Sequence, residues 1–184
     1  MIKPEQNEWS HKEVVDALGY LNSINVRHTH QNFLSWINQQ PSKTILDVGC
    51  GNGNLYHMLE SNHAYTGIDI NPYNIEFAKK QSNNSCEFLC DDVENIDVMK
   101  YNVLYFDSTL SFLRDPISLL QKYCVAGNVV FLTRLKLDSY THMTYDTWEG
   151  MKNPSYNWAF CIQDLEKIGY TIQTINDSYL LESK

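Results

Sequence analysis

Ile45-Leu46-Asp47-Val48-Gly49-Cys50-Gly51-Asn52-Gly53-Asn54-Leu55 is the stretch on which the fold turns. An apolar run ends in a bend with glycine at every second position, and a helical pattern begins behind it. That is a buried strand entering a tight βα turn. Without Cβ atoms the bend can take φ > 0 and let a ligand approach its backbone. A helix behind it would add unpaired N–H groups and the positive end of its dipole. Spacing narrows the ligand. A dinucleotide-binding turn has G-x-G-x-x-G, whereas these glycines run G-x-G-x-G directly after Asp47-Val48. Sixteen residues beyond Gly53, Asp69 sits in the next apolar run, Tyr65-Thr66-Gly67-Ile68-Asp69-Ile70. A carboxylate at the end of a second strand can accept both hydroxyls of a ribose.

Outward from this stretch the chain alternates short β-type runs with helical segments. Thr44–Val48, Ala64–Ile68, Cys86–Leu89, Asn102–Phe106 and Asn128–Thr133 are apolar and bounded by Gly, Asp or Asn. Between them lie helical patterns over Leu55–Ser61, Asn74–Gln81 and Ile117–Tyr123, and a weak turn over Asp92–Ile96. Asp115-Pro116 supplies a cap and a first helical residue. Strand, helix, strand, repeated, predicts parallel strands joined by right-handed crossovers. Trp158–Ile168 reads as a helix closed by Gly169, followed by runs over Tyr170–Ile175 and Tyr179–Glu182. So short a link between those runs forbids a crossover, so the sheet should end with one antiparallel strand. Residues 1–42 read as a helical N-terminal cap, broken near Gly19 and closed by Pro41. Residues 43–184 read as the ligand-binding domain, and 135–157 as a long polar-aromatic insertion on the substrate side.

Composition excludes several classes. The 184 residues carry 14 Lys plus Arg against 22 Asp plus Glu, a net charge of −8, with 43% hydrophobic and 12% aromatic residues. That is an ordinary globular balance, and a chain this long buries roughly 70% of its unfolded surface. A pI near 5.1 opposes a phosphate-backbone partner, so nucleic acid is not expected. The first residues lack the apolar segment of a signal peptide, and no apolar run is long enough to span a membrane. With five unpatterned cysteines, free thiols and a cytoplasmic location are expected. Cys86 and Cys90 have no His or Cys cluster beside them, so no metal site is expected.

The motifs resemble those of the class I S-adenosylmethionine-dependent methyltransferases, from about Thr44 to the C-terminus. Ile45–Leu55 resembles the family's first motif, and Gly67-Ile68-Asp69-Ile70-Asn71-Pro72 the second-strand motif, with Ala78 in the helix behind. Phe88–Ile96 resembles the third-strand segment and Tyr101–Pro116 the fourth. The resemblance implies an α/β, Rossmann-like, doubly wound sheet of seven strands in the order 3-2-1-4-5-7-6, the last antiparallel, with S-adenosyl-L-methionine as cofactor. It implies that Gly49, Cys50, Gly51 and Gly53 line the methionine end and that Asp47 helps hold the ammonium. It further implies Asp69 on the ribose, Ile70 and Val93 around the adenine, and Asp92 on its amine, with Asp91 as rival after a one-residue slip. Asp107, at the end of the fourth strand, would face the methionine or the substrate. This chain departs from the family pattern at Asn102, where an acid is common, at Ala126-Gly127-Asn128, where Pro-Gly-Gly is common, and at Ser111-Phe112, where His or Glu often stands near the acceptor.

Methyl transfer is an in-line displacement with an excellent leaving group, so alignment does most of the work, worth about 7–11 kcal/mol. An amine needs only its lone pair, whereas a hydroxyl needs a base or metal. His142 is the candidate base, with Asp107 beside the reacting groups. Tyr140, Tyr145, Trp148 and Trp158 are candidates for a substrate wall. His28 and His30 read as surface residues of the cap. Asn153-Pro154-Ser155-Tyr156 resembles an N-P-P-Y signature but follows the fifth strand instead of the fourth, and reads as a loop turn. The expected activity is methyl transfer to a small-molecule N or O acceptor. Alternatives are a non-catalytic methyltransferase-like binding module, a protein or RNA methyltransferase and, disfavoured by glycine spacing, a nicotinamide-dependent oxidoreductase.

Overall fold

The strands are β1 (Thr44–Val48), β2 (Ala64–Asp69), β3 (Glu87–Cys90), β4 (Val103–Asp107), β5 (Val129–Thr133), β6 (His142–Asp146), β7 (Ser155–Ala159), β8 (Tyr170–Ile175) and β9 (Ser178–Ser183). In the computed structural model, which describes residues 30–60, 62–83, 85–146 and 155–184, seven of them form one sheet in the order β3-β2-β1-β4-β5-β9-β8. The pairs among β1 to β5 are parallel, and β9 runs antiparallel to both β5 and β8. The strand order and the single reversed strand are those expected. Of the expected helical cap over residues 1–42, residues 1–29, with Trp9, His11 and His28, lie outside the described residues, as do Trp148, Asn153 and Pro154.

Helices α1 (Gln31–Ile37), α2 (Pro72–Gln81), α3 (Pro116–Tyr123) and α4 (Ile162–Ile168) cover the sheet. Strand residues alternate between its faces, and two cores result. Ile45, Tyr65, Val103, Tyr105 and Phe131 pack with Phe33 and Ile37 of α1 and Ile75 and Ala78 of α2. On the other face Leu46, Val48, Leu104, Phe106 and Val130 pack with Leu119, Leu120 and Tyr123 of α3 and Leu165 of α4. Central strands buried on both sides read as near-continuous apolar runs, and parallel pairing with helices on each face follows from that.

Local chemistry sets the helix starts. Asn71 Oδ1 accepts from the Tyr73 amide at 2.9 Å and Asp115 Oδ1 from the Ser118 amide at 3.0 Å, each with proline at the first helical position. Gly169, at φ 121°, closes α4, and Asn176, at φ 54°, turns β8 into β9. Asparagine tolerates that left-handed region better than most residues.

Three elements differ from expectation. Behind the glycine bend there is one 3-10 turn, Tyr56–Met58, and Leu59 is already extended. Leu55 is the buried anchor there, too little apolar surface to hold a full amphipathic helix against the sheet. Residues 135–157 contain β6 and the start of β7, which pair as a two-stranded antiparallel ribbon. Trp158 and Ala159 belong to β7, and α4 begins only at Ile162. Trp158 Nε1 donates to Leu113 O at 3.1 Å, and the Cys161 amide donates to Thr141 Oγ1 at 2.9 Å. The first contact ties the ribbon to the segment after β4, and the second ties its two ends together before α4.

Candidate active site at the strand tips

The carboxyl ends of β1, β2, β4 and β5 bring one face's polar side chains together. Asp47, Asp69, Asp107 and Thr133 share the face covered by α1, because each stands at even spacing from a core residue of that face. Asp69 sits at the centre of the cofactor side. Its Oδ2 accepts from the Gly51 amide at 2.9 Å, its Oδ1 from the Asn71 amide at 2.8 Å, and Asn74 Nδ2 lies 3.4 Å away. Burial raises its pKa and the Asn71 and Gly51 amides pull it back. A carboxylate has about four lone-pair sites; the two amides take two of them, and a second ribose hydroxyl would displace the long Asn74 contact.

The bend's own donors are largely spent inside the protein. The Gly49 and Cys50 amides donate to Ile68 O at 2.8 and 3.1 Å, Gly51 to Asp69, and Gly53 to Cys50 O at 3.0 Å. With a 3-10 turn in place of a helix, there is no dipole end of the kind expected from the sequence. A phosphate cradle needs such amides free. The bend therefore suits a ligand that brings no phosphate.

The glycines divide by role. A Cβ at Gly49 would fall 2.3 Å from Thr109 Oγ1, and one at Gly53 would fall 2.7 Å from the Phe88 ring, whereas one at Gly51 would meet nothing within 4 Å. Packing thus forbids a side chain at the outer two. At Gly51 space lies open beside Asp69. Cys50 turns its sulfur inward, 2.8 Å from where a Cβ on Gly67 would stand. Ile70 is exposed and Val93 buried. Asp91 Oδ1 accepts from the Asp92 amide and from Asn95 Nδ2, and Asp92 Oδ1 accepts from the Glu94 amide. Arg114 lies 3.9 Å from Asp92 and 3.8 Å from Glu94.

Asp47 is buried, and Tyr65 Oη donates to its Oδ2 at 2.7 Å. Burial lifts its pKa to about 7, opposed by the tyrosine and reinforced by Asp107 and Asp69. Asp107 accepts from the Thr133 hydroxyl and forms a two-pronged pair with Arg134, Nε to Oδ1 at 3.0 Å and the terminal nitrogen to Oδ2 at 2.9 Å. Ser108 at φ 61° and Arg134 at φ 53° follow β4 and β5. Two non-glycine residues in the left-handed region at adjacent strand tips are strain of the kind that clusters at functional sites. Asp47 feels the charge of both Asp69 and Asp107, and a buried carboxylate between two others suits a cationic ligand.

His30 is a correction. It is 7% exposed, not a surface residue, and its Nδ1 lies 2.8 Å from Tyr105 Oη. Asp107 and Arg134 both act on its charge, and burial holds its pKa down. Tyr65, Tyr105, Thr133 and Arg134 also escaped the sequence reading. One signal was present: His30 lies at helical spacing from Phe33 and Ile37, the apolar stripe of α1. His142, on the ribbon, has Nδ1 2.9 Å from Tyr140 O and Nε2 3.7 Å from Asp138 Oδ2, and stacks on Tyr140 at 4.3 Å. Both ring nitrogens of His142 are thus turned to neighbouring groups of its own segment, Tyr140 O and Asp138. Among the described residues there is no cluster of metal-binding side chains and no helix long and apolar enough to cross a membrane.

A family model described as a methyltransferase domain matches residues 39–143. The malonyl-[acyl-carrier protein] O-methyltransferase of Acetivibrio thermocellus is 38% identical over 76 residues, 39% of this chain and 27% of that protein. The ubiquinone biosynthesis O-methyltransferase of Coxiella burnetii is 26% identical over 127 residues, 66% of this chain and 52% of that protein. The chain thus spans about a quarter to a half of the length of these relatives. In structure it is similar to an S-adenosylmethionine-dependent methyltransferase from Clostridium acetobutylicum, with TM-score 0.63 and 12% identity over 91% of this chain and 98% of that one.

Proposed function

Because the chain belongs to the methyltransferase-domain family of S-adenosylmethionine-dependent enzymes, we propose that it transfers that cofactor's methyl group to a small-molecule N or O acceptor. The observation that carries this reading is the open space at Gly51 beside Asp69, whose carboxylate is held by the Gly51 and Asn71 amides. Asp69 would accept from the ribose hydroxyls. Ile70 and Val93 would enclose the adenine, with Asp92 or its rival Asp91 on the amine. Gly49, Cys50, Gly51 and Gly53 would form the wall at the methionine end, Gly51 alone offering its Cα to the ligand.

Asp47 and Asp107 would complete the methionine side. Their negative charges favour the ammonium and sulfonium, and a buried carboxylate gains more from a paired cation than a solvated one. The cofactor supplies an activated methyl carbon. The chain's part is to hold the acceptor on the line to it and keep water out. Residues 43–184 would form the transferase domain, and the β6–β7 ribbon, with Tyr140 and Trp158, would border the acceptor. A base at His142 would have to break its contacts within that ribbon.

Small acceptors fit the acidic surface and the names of the two O-methyltransferase relatives. A protein or nucleic-acid acceptor gains no support from a net charge of −8. Calorimetric titration with S-adenosylhomocysteine tests the cofactor reading. Micromolar binding that disappears in Asp69→Ala is expected, and no binding to folded wild type at high concentration would falsify it.

A further inference from the structure

Asp107 occupies only one edge of the cation that holds it. Arg134 Nε donates to Asp107 Oδ1 at 3.0 Å, and one terminal nitrogen pairs with Oδ2 at 2.9 Å, so the carboxylate takes the side edge of the guanidinium. That group carries five N–H donors in a planar fork. Its end edge, with one N–H from each terminal nitrogen pointing the same way, meets no partner among the described residues. Arg134 keeps 46% of its side chain exposed, against 16% for Asp107. The acid is covered and its cation is open to a second acid.

The strand order places that free edge. β1 pairs with β2 on one side and with β4 on the other, and ligands of open α/β sheets lie outside the strand ends where the order reverses in this way. Neighbouring strands stand about 4.8 Å apart. A cofactor with its ribose on Asp69, at the end of β2, and its ammonium toward Asp47, in β1, leaves the tips of β4 and β5 to the acceptor. Arg134 follows β5, in a left-handed backbone at φ 53°, and its head reaches the tip of β4. The chain beyond it leads into the β6–β7 ribbon. Lys136 Nζ donates to Thr144 Oγ1 at 3.1 Å, and Trp158 Nε1 to Leu113 O, just after β4. Ribbon and guanidinium border the same end of the crevice.

We propose that Arg134 is a specificity residue for the acceptor, its end edge receiving a carboxylate of the acceptor while its side edge holds Asp107. This rests on the methyl-transfer reading above and adds to it that the acceptor is an organic acid, methylated at an N or O atom outside the docked carboxylate. Arginine suits the double task, because its rigid fork can take a carboxylate on each of two edges with parallel hydrogen bonds. Asp107 alongside opposes a doubly charged phosphate more than a singly charged carboxylate.

Transfer of labelled methyl from S-adenosylmethionine to a small-molecule cell extract, with products separated by charge, tests this in the whole protein. Expected is a labelled product that still carries a carboxylate and is retained on an anion exchanger at pH 7. For the acceptor so identified, Arg134→Gln should raise KM by roughly 10- to 100-fold, and Arg134→Lys, which keeps the charge without the fork, by less. In both, kcat and S-adenosylhomocysteine affinity should stay within threefold of wild type. A role confined to bracing Asp107 would instead move kcat or S-adenosylhomocysteine affinity and leave the acceptor KM alone, which overturns the proposal. So does a labelled product that is neutral or cationic at pH 7. Nitrogen-15 NMR of the Arg134 Nε–H during titration with acetate supplies an arm that needs no turnover. A saturable shift is expected, absent with chloride at equal ionic strength, and equal responses to the two anions overturn the proposal. A wild type that binds no S-adenosylhomocysteine and labels nothing overturns the methyl-transfer reading, and the acetate titration still decides whether the free edge takes a carboxylate.

Discussion

The Gly51 amide donates to Asp69 Oδ2 across 2.9 Å, so the bend that closes β1 and the carboxylate that closes β2 hold each other in place. Whatever grips Asp69 also feels the bend. The two parts of the crevice are one object.

Asp69→Ala should therefore cost more than a ribose contact. Hydrogen bonds to a charged group contribute about 1.5–3 kcal/mol each, and the variant also frees the Gly51 and Asn71 amides. S-adenosylhomocysteine affinity should fall by at least about 100-fold in calorimetry. A change within threefold would remove Asp69 from the site.

Gly51 and Gly53 should separate binding from stability. Gly51→Val places its side chain in open space, so the fold loses only the left-handed backbone cost of about 1–2 kcal/mol while ligand binding disappears. Gly53→Ala drives a Cβ to 2.7 Å from the Phe88 ring, and a larger fall in Tm is expected. Thermal melts with and without S-adenosylhomocysteine check both. A Gly51→Val protein that binds normally would contradict the assignment.

Asp47 makes ligand binding depend on pH. Burial lifts its carboxyl to about 7 in the folded protein, above its ordinary value, so the folded state favours the protonated form. The stability this group contributes is fully present below about pH 4 and is lost as pH rises through 7. A ligand ammonium needs the carboxylate instead. S-adenosylhomocysteine affinity should rise with pH by up to tenfold per unit below 7 and level off above, with a proton released on binding. Methylthioadenosine, which has no ammonium, should show no such slope. Parallel slopes for the two ligands would take Asp47 away from the ammonium.

His142→Ala should reduce methyl transfer by less than about tenfold, well short of the loss typical for a base, because its two ring nitrogens already meet Tyr140 O and Asp138. Single-turnover rates with labelled cofactor decide it. A loss of 100-fold or more would place the base on β6.

Much of this architecture was legible in the residues. Apolar runs bounded by Gly, Asp and Asn placed β1 to β5 to within about a residue, because buried parallel strands leave a strong local mark. Asn176-Asp177 showed the final hairpin for the same reason. The β6–β7 ribbon was not legible: Tyr156–Phe160 is an aromatic run that satisfies a strand or a helix, and pairing with Thr141–Tyr145 decides between them. Nor was the shortened turn behind Gly53, where a helical-looking pattern lacked a buried stripe. On the site, Asp69 was legible through its strand-end position, and Asp47 through the resemblance of Ile45–Leu55 to the family's first motif. His30 did not, since its partner Tyr105 lies 75 residues away in sequence, and no local pattern shows which long-range neighbour a buried imidazole will meet.

The central claim is that the tips of β1 and β2 hold an adenosyl ligand, and a crystal structure with bound S-adenosylhomocysteine tests it most directly. Expected are both ribose hydroxyls on Asp69, the backbone of Gly51 against the ligand, and the ammonium turned toward Asp47. A nucleoside seated elsewhere, with the space beside Gly51 closed by protein atoms, would contradict it.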